Sequence, residues 1–284
     1  MILLSLHSDI TTRLALISDT PDLDASVLIA HVINKPRTYV MAHPELSLST
    51  EQQKYLNESV LRLEKGEPFP YVLGHWEFFG LDFDVTPDVL IPRPETELLI
   101  EKAIVWLQQN PTRKNIADVG TGSGAIAVSL AINIPDADIL ATDISSKALQ
   151  VAKRNAKKHA VSKRIEFIEC DLFPANSPIS NPQSRFDLIC ANLPYIPTKT
   201  LSSLRVFGRE PTVALDGGAD GLDLIRRLLD IAPDWLAPNA LILLELEATL
   251  GVQVLNLAYD MFNQEEIHLH QDLTGRDRLL EIRL

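Results

Sequence analysis

Cysteine is scarce: Cys170 and Cys190 are the two in 284 residues, and each lies inside an apolar run. Two such thiols suit reduced core positions, which excludes a disulfide framework. No group of histidines and cysteines has ligand spacing, so no metal is expected. Basic charge is also short, with 26 Lys and Arg against 38 Asp and Glu and a formal net charge of −12. A long phosphate backbone is held by many Lys and Arg contacts, so no direct nucleic-acid substrate is expected. Residues 1–80 carry ten acids against six Lys plus Arg, so no polycation hides there. No run approaches the ~20 apolar residues of a membrane span. The opening Met1–Leu6 run is broken by His7, Asp9 and Arg13 and has no basic leader, so a cytoplasmic protein without membrane contact is expected. Repeats and low-complexity segments are absent too, which removes collagen, coiled coil and disorder. What remains is 46% hydrophobic and 23% charged residues, ample for the core of one large domain or two unequal ones.

The apolar spacing is helical over residues 10–66: Ile10, Leu14 and Ile17, then Leu28, Ile29, Val32 and Ile33, then Leu56, Val60 and Leu63. Pro21, Pro36 and Pro44 are expected stops, and Ser49-Thr50 opens the last helix. Gly66, Pro68 and Pro70 punctuate the end of this part, and residues 76–85 alternate like a hairpin turning near Gly80. After residue 94 short β-rich runs at 116–119, 139–142, 165–168, 186–191 and 241–246 alternate with helical stretches such as 145–159 and 222–229. That alternation implies a mostly parallel sheet with helices on both faces. Runs at 266–270 and 278–284 read as an antiparallel edge pair. The expected domains are a helical one over 1–74, a β-hairpin linker over 75–90 and an α/β domain over 91–284.

Asp118-Val-Gly120-Thr121-Gly122-Ser123-Gly124-Ala125 follows the first strand of that domain and opens a helix. Glycines there let the backbone turn sharply and approach a ligand, beside the free N–H groups of the helix start. The pattern fits a nicotinamide dinucleotide as well as S-adenosylmethionine. Asp118 favours the second, since a carboxylate attracts an ammonium or sulfonium group and repels a pyrophosphate; its plainer use is to fix the loop. Asp143 ends the second strand and suits a ribose diol, and Asp171 follows the third strand near the expected adenine.

Asn192-Leu193-Pro194-Tyr195 ends the fourth strand, whose loop flanks the crevice where the strand order reverses. The nitrogen of a carboxamide, or of adenine, has a delocalised lone pair and is a poor nucleophile. Two acceptors that hold its two hydrogens aim it and favour pyramidalisation. Asn192 offers a side-chain oxygen and Leu193 a backbone carbonyl held extended by Pro194, while Tyr195 can lie against the flat group. No strong general base is visible, so the residues alone imply methyl transfer to a planar amide or amine, chiefly by alignment.

Residues 66–74 (Gly-Glu-Pro-Phe-Pro-Tyr-Val-Leu-Gly), 77–83, and Leu90-Ile-Pro-Arg93-Pro-Glu-Thr-Glu97 together resemble the hallmark of the peptide chain release factor glutamine methyltransferases, the HemK-type (PrmC) family. Residues 120–124, 192–195, 210–222 and 272–278 follow in that family's order, so the resemblance spans nearly the whole chain. It implies a Rossmann-like class I S-adenosylmethionine-dependent methyltransferase with a mostly parallel seven-stranded sheet, behind a small helical substrate-recognition domain joined by a β-hairpin. It implies methylation of N5 of the glutamine in the Gly-Gly-Gln tip of class 1 release factors, with S-adenosylhomocysteine as product and no metal. By position Gly120–Gly124 and Asp143 contact the cofactor, Leu172 falls where an aromatic residue can flank adenine, and Asn192–Tyr195 grip the glutamine amide. Arg93 is expected to line the site. Leu193 departs from the family's usual first proline, and residues 244–247 differ from its usual Glu-Ile-Gly. The alternatives are an adenine N6-methyltransferase on RNA or DNA, a ribosomal protein glutamine methyltransferase, a cofactor-binding module without turnover and, last, a nicotinamide oxidoreductase.

Overall fold

The helical periodicity of the first part becomes five helices in a computed structural model that describes residues 2–174, 185–262 and 266–284. Helix α1 (Leu3–Leu14) buries Leu3, Leu6, Ile10 and Leu14, one face at helical spacing. Helix α2 (Pro21–Ile33) has Pro21 in its first turn, and Pro36 is the N-cap of α3 (Arg37–Ala42). These prolines open helices rather than stop them, because a fixed φ and a missing N–H suit the first turn. Helix α4 (Thr50–Glu64) starts where expected, on a capping box in which Ser49 Oγ accepts from Gln52 N and Gln52 Oε1 from Ser49 N. Helix α5 (Phe69–Leu73) forms where the prolines had read only as punctuation, again with a proline in its first turn. Compactness divides the chain at residue 75, into Met1–His75 and Trp76–Leu284.

Strands β1 (His75–Phe78) and β2 (Leu81–Asp84) form the expected hairpin. Its turn residues, Phe79 and Gly80, both have positive φ, the geometry whose twist matches two-residue hairpins. Phe78 and Phe83 are buried in the core cluster that also holds Ile116, Leu130 and Leu188, so the hairpin packs into the larger unit.

Helix α6 (Thr96–Gln109) follows, with Glu95 at the N-cap but making no side-chain cap. The alternation continues as β3 (Asn115–Val119), α7 (Ala125–Asn133), β4 (Asp138–Asp143), α8 (Ser146–Lys158), β5 (Ile165–Glu169), β6 (Phe186–Ala191), the short α9 (Thr198–Leu201), α10 (Asp223–Trp235), β7 (Leu236–Glu245), α11 (Gly251–Met261), β8 (Glu266–Gln271) and β9 (Asp277–Arg283). The seven-stranded sheet runs β5-β4-β3-β6-β7-β9-β8, with parallel pairing from β5 through β7. Strand β9 is antiparallel to both β7 and β8. The last two strands therefore pair as expected, but β9 inserts between β7 and β8 and only β8 lies at the edge.

Alternation along the strands sorts the core. Ala117, Val119, Ile189, Ala191, Ile242 and Leu244 pack with α10 and α11; Ile116, Leu188, Cys190, Leu241 and Leu243 pack with α6 and α7. All six residues of β6 are buried, as a central parallel strand covered on both faces requires. The chain moves from β3 outward to β4 and later returns to β6 on the other side, which opens a crevice past the carboxyl ends of β3 and β6.

Candidate active site

The loop after β3 leaves the sheet through Gly120, Thr121 and Gly122, with the first two amides donating to Thr142 O at 2.9 and 2.8 Å. Gly122 has φ +56°, and a Cβ there would meet open space, so the backbone lies bare toward the crevice. Gly124 serves packing instead, since a Cβ would lie 3.1 Å from Ala152 Cβ on α8. Asp118 is fully buried, its Oδ2 accepting from Thr121 Oγ1 at 2.6 Å and Ala127 N at 3.0 Å. It fixes the loop to the helix start, the plainer of its two expected uses, and lines neither of the cavities described below. Its Oδ1 is buried without a hydrogen-bond partner among the described residues, and burial pushes the carboxyl up to about 7.

Asp143 stands at the end of β4, where its Oδ2 accepts from Gly122 N at 2.9 Å and its Oδ1 from Ser145 N at 2.8 Å. Each oxygen keeps a lone pair for a hydroxyl donor. Asp171 is exposed and takes a 2.8 Å hydrogen bond from Arg227 Nη2 on α10. Leu172 beside it is buried with φ +62°, its carbonyl accepting from Thr142 Oγ1 at 2.7 Å.

Across the crevice, Asn192 Nδ2 donates to Thr96 Oγ1 at 3.1 Å. Thr96 donates onward to Glu245 Oε2 at 2.5 Å, and Tyr195 Oη donates to Glu245 Oε1 at 3.2 Å. Among the described residues neither the Asn192 side-chain oxygen nor the Leu193 carbonyl accepts a hydrogen bond. Leu193 itself is 4% exposed and packs over Gly120, whose Cβ would lie 3.1 Å from Leu193 Cδ2.

The segment 210–221 braces this loop. Gly217 N donates to Ile196 O, and a Cβ at Gly217 would stand 2.7 Å from both Pro194 O and Tyr195 Cα. Buried Glu210 accepts from Arg93 Nη2 at 2.5 Å and from Ile91 N at 3.1 Å. The hallmark run 90–97 is thereby pinned to the far wall.

These residues enclose a cavity of about 540 Å³, within the roughly 300–1,000 Å³ of small-ligand sites. Its lining includes Gly120–Ser123, Asp143, Asp171, Leu172, Asn192–Pro194 and Arg93, eleven of the fourteen residues singled out beforehand. Asp118, Gly124 and Tyr195 are the three that do not reach it. A second cavity of about 410 Å³ adjoins it, sharing Leu90, Arg93, Asn192, Leu193, Pro194 and Ala214 and adding Tyr195 and Arg205. Five aspartates, at 88, 143, 171, 216 and 223, line the larger cavity against Arg93 and Arg227. That balance suits a cationic ligand and opposes a pyrophosphate. The bare Gly122 backbone and the spare acceptors of Asp143 fit S-adenosylmethionine.

Thr96 and Glu245 lie in runs noted in the sequence, 90–97 and 244–247, but were given no role there, although Glu245 is an acid ending a β-strand whose residues 240–245 are all buried. Glu210 and Gly217 lie in the 210–222 run that follows the family's order, without a role read for either. The basic residues Lys153, Arg154, Lys157 and Lys158 form an exposed face of α8.

Comparison with known proteins finds relatives over nearly the whole chain. The family model described as PrmC N-terminal domain matches residues 6–74, and one described as methyltransferase domain matches residues 112–215. The release factor glutamine methyltransferase of Coxiella burnetii is 38% identical over 97% of this chain and 96% of its own length. That of Moorella thermoacetica is 40% identical over 92% and 90%. A 16S rRNA N2 G1207 methyltransferase from T. Thermophilus, solved with AdoMet and guanosine, superposes with a TM-score of 0.53 at 17% identity, covering 74% of this chain and 49% of its own, and shows the shared fold. With its glycine loop, its Asn-Leu-Pro-Tyr turn and near full-length relatives, the chain belongs to the release factor glutamine methyltransferases.

Proposed function

We propose that the protein transfers a methyl group from S-adenosylmethionine to the side-chain amide nitrogen of the glutamine in the Gly-Gly-Gln motif of class 1 release factors. The carrying observation is that Asn192 and Leu193 line both cavities, and that among the described residues neither Asn192 Oδ1 nor Leu193 O accepts a hydrogen bond. A primary amide has two N–H donors, and two acceptors in that place take both. The larger cavity holds the cofactor: Gly120–Ser123 receive its amino-acid end, Asp143 its ribose, and Asp171 and Leu172 its adenine. The smaller cavity receives the glutamine, with Tyr195 against the flat group and Arg93 between the two sites. When bound, S-adenosylmethionine supplies a methyl carbon activated by its sulfonium.

The chain's own task is alignment. Asn192 and Leu193 hold the nitrogen so that its lone pair faces the methyl, and they favour its change from planar to pyramidal as the bond forms. N-alkylation makes the remaining N–H acidic, so the excess proton leaves to an acceptor without a dedicated base. Leu193 has a freer φ than the family's proline, but Pro194 still holds it extended, and its burial over Gly120 restores stiffness.

In this reading the helical unit, of which residues 6–74 match the N-terminal family model, recognises the release factor. The expected setting is the cytoplasm, and among the described residues no helix is long and apolar enough to cross a membrane. The test is mass spectrometry of a release factor after incubation with the protein and S-adenosylmethionine. The Gly-Gly-Gln peptide should gain one CH2 on glutamine; label on RNA or on a ribosomal protein glutamine, with none on the release factor, would overturn the reading.

A further inference from the structure

The buried carboxylate of Glu245 makes no contact with either cavity. It lies at 2% exposure, at the end of a strand whose alternation sends Leu241 and Leu243 to the α6 face and Glu245 with them. Burying an acid is costly, and here two hydroxyls offset part of that cost: Thr96 Oγ1 at 2.5 Å and Tyr195 Oη at 3.2 Å. Thr96 is itself 4% exposed, so its single proton has few places to go.

From these contacts we infer that Glu245, acting through Thr96, sets which end of the Asn192 carboxamide faces the substrate. Both are positioning residues: Glu245 lies outside both cavities, and Thr96, on the wall of the larger one, acts through Asn192. The inference rests on the proposed glutamine transfer. A carboxamide has two ends of nearly equal shape, and a clamp that must accept N–H donors works in one of the two orientations. Thr96 commits its proton to Glu245 and so shows Asn192 only a lone pair. The complement of a lone pair is an NH2, which is the end Asn192 presents at 3.1 Å. Oδ1 is thereby turned away from Thr96, free to accept. The inverted amide would set an NH2 against the substrate's own NH2.

The direction of this chain depends on the charge of Glu245. A protonated Glu245 would donate to Thr96, release the hydroxyl proton toward Asn192 and favour the inverted amide. The groups facing it are Thr96 and Tyr195, whose hydroxyls favour the anion, with Arg278 doing so through space; Glu95 opposes it. Arg278 is shared with Glu95 at 3.7 Å and Asp272 at 2.9 Å. Burial dominates and pushes Glu245 up to about 7.

The experiment measures kcat, KM for the release factor and Kd for S-adenosylmethionine in wild type, Thr96→Val, Thr96→Ser and Glu245→Gln between pH 5.5 and 9. Thermal unfolding reports folding. Thr96→Val and Glu245→Gln should lose at least tenfold in kcat at pH 8 while cofactor Kd stays within threefold. Thr96→Ser keeps the hydroxyl and should keep kcat within threefold. Wild-type kcat should rise with pH around 7, and Glu245→Gln should lose that rise. Thr96→Val as fast as Thr96→Ser, or Glu245→Gln with the wild-type profile, overturns the inference. If either variant fails to fold, Tyr195→Phe decides: loss of its hydroxyl should move the midpoint of the kcat rise to higher pH, and an unmoved midpoint overturns the relay. A wild type that methylates no release-factor glutamine would instead sink the parent reading; an active wild type with indifferent variants sinks only the relay.

Discussion

At the scale of single residues, what the motifs revealed and what they hid differ in kind. Gly122, Asp143 and Asn192 could be located because each sits in a local pattern, a strand followed by a turn, that dictates its surroundings. Thr96 and Glu245 are 149 positions apart and meet only because β7 ends beside the start of α6, which no local pattern encodes. Of the two uses the sequence offered for Asp118, burial and two donors carry the plainer one, a brace for the loop. Two predictions belong here. Asn192→Ala should leave calorimetric affinity for S-adenosylmethionine nearly unchanged while transfer falls by roughly 10²-fold or more, the scale of one preorganised group facing the transition state; loss of both together would show Asn192 to be mainly a cofactor ligand. Gly217→Ala places a Cβ 2.7 Å from backbone atoms of Pro194 and Tyr195, which cannot rotate aside. It should lower stability by about 1–3 kcal/mol in chemical denaturation, as overpacking does, and slow transfer by displacing the clamp. A variant with wild-type stability and rate would show that segment to be pliable.

At the scale of elements, the alternation of strands and helices after residue 94 was legible because period-two and helical patterns differ over such lengths. Helix α5 was not, since five residues are too few for a period and two prolines masked them. The insertion of β9 between β7 and β8 was equally hidden, because sequence pattern does not reveal which strand a hairpin offers to its neighbour. Asn155 on α8 joins elements that no motif connects. Fully buried, it accepts from Asp84 N at 2.7 Å and donates to Asp84 O at 3.0 Å and Ser123 O at 2.8 Å, tying the hairpin to the glycine loop. Asn155→Ala leaves three backbone groups short of a partner, each worth about 1–3 kcal/mol when buried. The expected result is a loss of about 3 kcal/mol or more in denaturant unfolding together with weaker cofactor binding. Unfolding at the wild-type midpoint would mean that water replaces the amide there.

At the scale of the whole molecule, the net charge of −12 is echoed inside the larger cavity, where aspartates outnumber arginines five to two. Five acids are buried among the described residues, and of these burial pushes Asp118 and Glu245 each to about 7. A carboxyl with a folded pKa above its unfolded one binds protons better when folded, so its contribution to stability falls as pH rises from about 4 through about 7. Asp272 runs the opposite way, its carboxyl held down by Thr274 and Arg278, and it acts only in more acid solution. Without cofactor, the melting temperature of wild type should therefore decline relative to Asp118→Asn between pH 5 and 8. A constant difference would mean that Asp118 stays ionised throughout. The bond between Thr96 and Glu245 also bears on how the protein is made. A growing chain can close its glycine loop once β4 has emerged, but the orientation of Asn192 must wait for a strand synthesised some fifty residues after Asn192 itself. Until then Thr96 has no carboxylate to take its proton, and the Asn192 amide no fixed sense.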